Sequence, residues 1–289
     1  MSTTLHPFTF QDIPLRGRIL RMENIAQHVH TLHDAPSATA TMLAEMLAAA
    51  ALMVYDAEHR VSVNLQVQNV SSKAMAFAHC SREGHLKAYA NAEMQATTFA
   101  AIGQQPDSHF AVTLDDHTAP QPYQSLVGLV KGSPTAALED YFTNSVQTPT
   151  YFRVMTLRHP DGTLDVGAIF LQALPGLTME DDNWTRMGHL LATLKPEELA
   201  STALPAEKLL TMLFAEDTLR LMPPETFTLQ ADDPRPRMLA ALANVPVAEL
   251  QAMLDELGSV TLTDQTSGKA ETFDRHDLAH LLDADTTTH

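Results

Sequence analysis

The stretch VSVNLQVQ at residues 61–68 decides how the chain is read. Val61, Val63, Leu65 and Val67 alternate with Ser62, Asn64, Gln66 and Gln68, the period of two shown by a strand with one face in a core and the other in water. Outward from it, apolar runs at residues 75–80, 110–114, 151–157 and 166–171 read as further strands, and RGRILRM at residues 16–22 as another. Turn-forming clusters, QQPDS at residues 104–108 and PDG at residues 160–162, separate them. Two helices interrupt the strands. The first covers residues 38–54, Ala-rich, with a start at residues 34–37 and Met42, Leu43, Met46 and Leu47 at helical spacing. The second, SPTAALEDYF at residues 133–142, has Ser133 as cap, Pro134 in the first helical position, and Leu138, Tyr141 and Phe142 on one side. Strands surrounding few helices make the region to about residue 176 an α+β domain.

Beyond residue 180 the texture is helical. Trp184, Met187, Leu190, Leu191 and Leu194, then Leu209, Leu210, Leu213 and Phe214, recur at helical spacing, with Pro196 and Pro205 as breaks and Pro223-Pro224 as a stop. In the tail, one helix opens at Pro246 and ends at Gly258, with Val247, Leu250, Met253, Leu254 and Leu257 inward. A short strand at residues 260–263, a turn at 264–268 and a last helix at 274–282 follow. The division expected is an α+β core at residues 1–178, a helical linker at 179–226 and a small α+β C-terminal domain at 227–289.

Composition narrows the function classes. The chain has 289 residues, 45% of them hydrophobic, enough for a sizeable core. Its formal net charge of −17 repels phosphate backbones and anionic headgroups, so neither nucleic acid nor membrane is expected as a partner. Residues from 179 on hold 20 of the 35 acids but only 8 of the 18 bases, which makes the tail the acidic part. Neither a secretory leader nor a spanning segment is read, since residues 38–54 are too short and carry Glu45. The protein is therefore expected in the cytoplasm. The single cysteine, Cys80, excludes an internal disulfide, a CxxC redox pair and a cysteine-based zinc site. No nucleophile elbow, phosphate-cradling glycine loop, dinucleotide fingerprint or H-E-x-x-H occurs, so no catalytic residue, no cofactor and no enzyme activity is expected.

A series of blocks carries more information: RGRILR at residues 16–21; His33-Asp34-Ala-Pro36 before the Ala-rich helix; VSVNLQVQ; KAYA at 87–90; YQSLVGLVKGSPTAALEDYFTNSVQTPT at 123–150; Leu171-Gln172; and LLTMLFAEDTLR at 209–220. In order and spacing they resemble the redox-regulated 33 kDa heat-shock chaperone family, the bacterial holdases whose C-terminal zinc domain senses oxidants. The resemblance implies a client-binding core, a helical linker packed over an apolar surface of that core, and a C-terminal domain that gates it. It also implies that one zinc is held by a Cys-x-Cys pair shortly after a Phe and a Cys-x-x-Cys pair shortly before a Phe-Asp. Counted from Phe227 and back from Phe273-Asp274, those positions hold Leu229, Ala231, Asp264 and Ser267. Leu and Ala have no donor atom, Ser is a poor ligand, and one carboxylate does not replace four thiolates. No metal is expected, and oxidation cannot eject one.

Other side chains have ordinary readings. His276 and His280, four apart on the expected last helix with Asp277 beside them, and the cluster His28, His30 and His33, are each more simply solvated histidines. Cys80 reads as a small buried hydrophobe, and Met42, Met46, Met53, Met187, Met212 and Met253 as core. Asp232-Asp233 with Pro234 and Pro236 reads as a solvated linker. The function expected is an ATP-independent holdase without cysteine or zinc switching, either constitutive or released by heat or acid, with heat or local unfolding the favoured trigger and unfolded proteins as partners. Homodimerisation is a further implication of the resemblance. The alternative is an adaptor on the same scaffold, binding one partner such as a protease or translation factor.

Overall fold

A computed structural model describes residues 3–25, 37–54, 61–116, 118–129, 132–227, 234–264 and 270–282. The chain is mixed α+β and divides into two compact units, Met1–Gln230 and Ala231–His289.

The alternation at residues 61–68 becomes β3 (Ser62–Asn69), at the centre of a five-stranded antiparallel sheet. Its order is β5 (Leu86–Ala90), β4 (Met75–Cys80), β3, β6 (Ser108–Asp115) and β7 (Tyr123–Val127). Val63, Leu65 and Val67 are fully buried, and Val67 pairs with Ala76 and Phe110. A second sheet runs β10 (Leu219–Leu221), β1 (Thr3–Phe10), β2 (Leu15–Met22), β9 (Leu164–Ala173), β8 (Thr150–Arg158), with β11 (Glu225–Phe227) also on β1. Strand β1 was not foreseen. Its Pro7 falls between the segments of β1 that pair with β10 and β11, where a missing N–H disrupts least.

Between the sheets lies the helix Ser37–Met53, packed on β3, β4 and β5 of one and β2, β8 and β9 of the other. Nearly every described residue of it is buried, and seven are alanine, because an all-round apolar helix with small side chains lets two sheets approach from opposite sides. Glu45 is its one charged residue. Burial pushes its carboxyl up to about 7, against hydrogen bonds from Thr135 that act to lower it. The helix Pro134–Asn144 packs beside it, capped as expected by the Ser133 hydroxyl accepting from the Ala136 N–H.

The second unit differs from expectation in three places. Arg235–Leu242 is a helix, because Pro234 as N-cap and Pro236 in the first turn sit where a helix has no use for the missing N–H groups. Leu257 is exposed although the helix Val247–Leu257 is present. The expected last helix is instead β13 (Ala270–Asp274) paired with β12 (Ser259–Thr263), then a turn, then a short helix at Ala279–Leu282. The Asp274 carboxylate accepts from the His276 and Asp277 N–H groups at 2.8 and 2.9 Å, closing that turn. His276 therefore lies in a turn and His280 in a helix of four residues.

Candidate functional site

The register of β2 against β9, from Leu15↔Ala173 to Met22↔Val166, sorts their side chains onto two faces. Leu20, Met22, Val166, Ala168 and Phe170 join the core around the central helix. Ile19, Ile169 and Leu171 point the other way and, with Phe8, Phe10 and Leu15, form a separate apolar face. That face is covered by residues 181–214. Met187, Leu191, Leu194, Leu199, Ala206, Leu209, Leu210 and Phe214 are buried against it, whereas Asp181, Asp182, His189, Glu197, Glu207 and Lys208 look outward. The cover is thus three amphipathic helices, Asp181–Ala192, Pro196–Leu199 and Ala206–Leu213, each with an apolar side on the sheet.

Docking is close. At Gly167 an added Cβ would overlap the Leu199 carbonyl, and at Gly188 it would stand 2.6 Å from the Tyr151 hydroxyl. Tyr151 stacks on Trp184 with centroids 4.3 Å apart and planes 10° from parallel. Among these contacts one brings a buried guanidinium to backbone carbonyls. Arg21, on the same side of β2 as Ile19 and buried, donates to the carbonyls of Leu199 at 3.0 Å, Glu198 at 2.9 Å and Leu204. These carbonyls stand at and beyond the end of a helix, where no amide of that helix reaches them. Burial lowers the Arg21 pKa, with the charge of Glu207 opposing. Arg186 of the cover also forms a bidentate pair with Asp217, just beyond it, at 2.8 and 2.6 Å, which raises the Arg186 pKa. His6 faces Glu207 at 3.2 Å, and the Thr202 hydroxyl donates to Glu23 at 2.6 Å. Sequence reasoning read residues 184–214 as helical but missed Arg21.

Of the four expected zinc-ligand positions, Leu229, Ala231 and Ser267 lie outside the described residues, as do His28, His30 and His33. Asp264 follows β12 and its carboxylate accepts from Arg237 at 2.8 Å. Two side chains without a donor atom, a hydroxyl and a carboxylate engaged with a guanidinium do not fit zinc. Among the described residues no group of three or more His, Cys, Asp or Glu is placed to hold a metal. The second unit is organised around Met238, Leu242, Leu250, Leu254, Val260, Phe273 and Leu278. Arg235 lies 4.7 Å from the Phe273 ring centroid and pairs with Glu271 at 3.2 Å and Asp277 at 2.5 Å. A backbone hydrogen bond and then Arg235 hold the Asp277 carboxyl below the usual range. Cys80 is fully buried in β4; of the methionines, Met42, Met46, Met53 and Met187 are buried but Met212 is 56% exposed.

Among the described residues no helix is long and apolar enough to cross a membrane. The solved structure of the 33 kDa chaperonin from Thermotoga maritima superposes with a TM-score of 0.80 at 20% identity, covering 99% of each chain, which establishes the fold. The 33 kDa chaperonins of Shewanella denitrificans and Escherichia coli O7:K1 are 26% and 25% identical to this chain. The first match covers 98% of this chain and 96% of that protein, the second 96% and 94%. The profile of the Hsp33 protein family matches residues 3–274. With one cysteine in place of the family's zinc-binding set, the chain belongs to the Hsp33 family.

Proposed function

We propose that this protein is an ATP-independent chaperone that holds unfolding polypeptides on the sheet face now covered by residues 181–214, and that neither thiols nor zinc govern access to it. The observation that carries this reading is the cover itself, amphipathic, broken by Pro196 and Pro205, and polar on its outer side, so that it can leave the sheet and remain soluble. Residues 1–178 supply the holding surface, 179–226 the releasable cover and 227–289 the gate. Release follows heat or local unfolding, since short helices interrupted by prolines form a low-stability segment. No bond is made or broken, and no catalytic residue, cofactor or metal takes part. The acidic surface suits a cytoplasmic protein whose partners are unfolded chains and not nucleic acid or membrane, and it keeps complexes soluble.

The test is light scattering of a heat-unfolding client with the purified protein, with and without peroxide. Suppression of aggregation that peroxide does not change is expected. No suppression at any temperature rejects the holding function, and a large gain with peroxide rejects thiol-independent control.

A further inference from the structure

Sheet edges expose unpaired backbone groups, and natural proteins blunt them with charge, proline, shortness or a covering element. The two large sheets have four edge positions, and three are blunted. Strand β5 carries Lys87. Strand β8 carries Arg153 and Arg158. Strands β10 and β11 have three residues each, contain Arg220 and Glu225, and are separated by Pro223 and Pro224. The fourth, β7, has the helix Pro134–Asn144 against it but reads YQSLV: it has no charge and no proline, Pro122 standing before it. Among the described residues it pairs only with β6. Tyr123 is 56% exposed and Leu126 is 69% exposed, and three residues apart they point to opposite faces of the sheet.

We propose that β7 is a second client-binding element, which takes an extended segment of unfolded polypeptide as a sixth strand of this sheet. Backbone groups along the edge recognise what every polypeptide has, whatever its sequence. Tyr123 and Leu126 offer apolar contact on both faces of the added strand, and a strand without charge imposes no charge selection on the client. The inference builds on the holdase reading but concerns a surface that the cover at residues 181–214 does not occupy.

The test is fluorescence anisotropy of the full-length protein with a short labelled peptide alternating Val, Thr and Lys, beside a copy N-methylated at alternate residues. The copy keeps the side chains and loses half the strand's donors. The expected result is about tenfold tighter binding of the unmethylated peptide, and about fivefold weakening by Leu126→Lys with an unchanged melting temperature. Equal affinity for both peptides overturns the proposal and needs no variant. So does a wild type that sediments as a dimer, is dissociated by Leu126→Lys and ignores the peptide, because the edge then serves a second copy. Client light scattering separates the two readings: suppression without discrimination between the peptides keeps the holdase and rejects the edge.

Discussion

The six-stranded sheet is apolar on both faces, and the two faces are closed by different kinds of helix. On one side Ser37–Met53 is buried between two sheets except along a short stripe at Ala38, Thr41 and Glu45, so it has little polar face to show water if it left. On the other, residues 181–214 bury one side and solvate the other, in short pieces joined at prolines. The first closure is part of the fold, and the second is compatible with a soluble open form. That difference is what the proposed client face rests on, without reference to any thiol or metal.

The largest effects should fall on the permanent face. Leu43→Ala in the central helix removes a fully buried side chain, with an expected loss of about 2–5 kcal/mol and a fall of roughly 5–15 °C in the main thermal transition. Leu210→Ala deletes the same atoms under the cover, where they are also fully buried. There the main transition should move less, and aggregation suppression should begin at a lower temperature. Equal behaviour of the two variants in melting and client assays would remove the distinction.

Next is Arg21→Met, which leaves the carbonyls of Glu198, Leu199 and Leu204 without their donor. An expected cost of about 2–4 kcal/mol bears on docking of the cover. Amide exchange at residues 196–204 should accelerate by about 30-fold or more, since each 1.4 kcal/mol is tenfold, with exchange in the central helix unchanged.

Glu45 tests the permanent face through pH. Its carboxyl is held at about 7 in the folded protein against an ordinary 4.5, so over that window the folded protein keeps a proton that the unfolded chain releases. The stability this contributes is complete below 4.5 and is lost as pH rises through about 7. Glu45→Gln should therefore match wild type near pH 4 and exceed it by about 1–3 kcal/mol at pH 8, in paired denaturant titrations. A constant difference across that range would place the carboxyl in water.

The smallest effects belong to the second unit. A zinc chelator should leave its melting unchanged. Arg235→Gln should loosen it more than Arg275→Gln, because Arg235 meets two carboxylates and the Phe273 ring, whereas Arg275 meets the exposed Asp255. Amide exchange over residues 234–282 reads both.

How much of this was legible in the sequence follows from how each signal arises. Residues 61–68 alternate because only one side of β3 meets the core, and the helix Pro134–Asn144 announces its own cap. Strand β9 reads as a near-continuous apolar run because it is buried on both sides, so the run marks a strand without telling which residues face the cover. The helix at Arg235 was hidden by prolines that a first turn tolerates. Arg21 was hidden because its partners are backbone carbonyls nearly 180 residues away, |i−j| of 177 to 183, which no local pattern encodes. Counting from Phe227 and Phe273-Asp274 places the expected ligand positions at Leu229, Ala231, Asp264 and Ser267, of which Asp264 alone lies among the described residues.

The most direct test of the account is amide exchange of the full-length protein across a temperature series, read beside aggregation suppression in the same buffer. The account predicts that exchange at residues 181–214 accelerates over the temperatures where suppression begins, while residues 37–53 stay protected. Suppression at full strength with the cover still protected would contradict it.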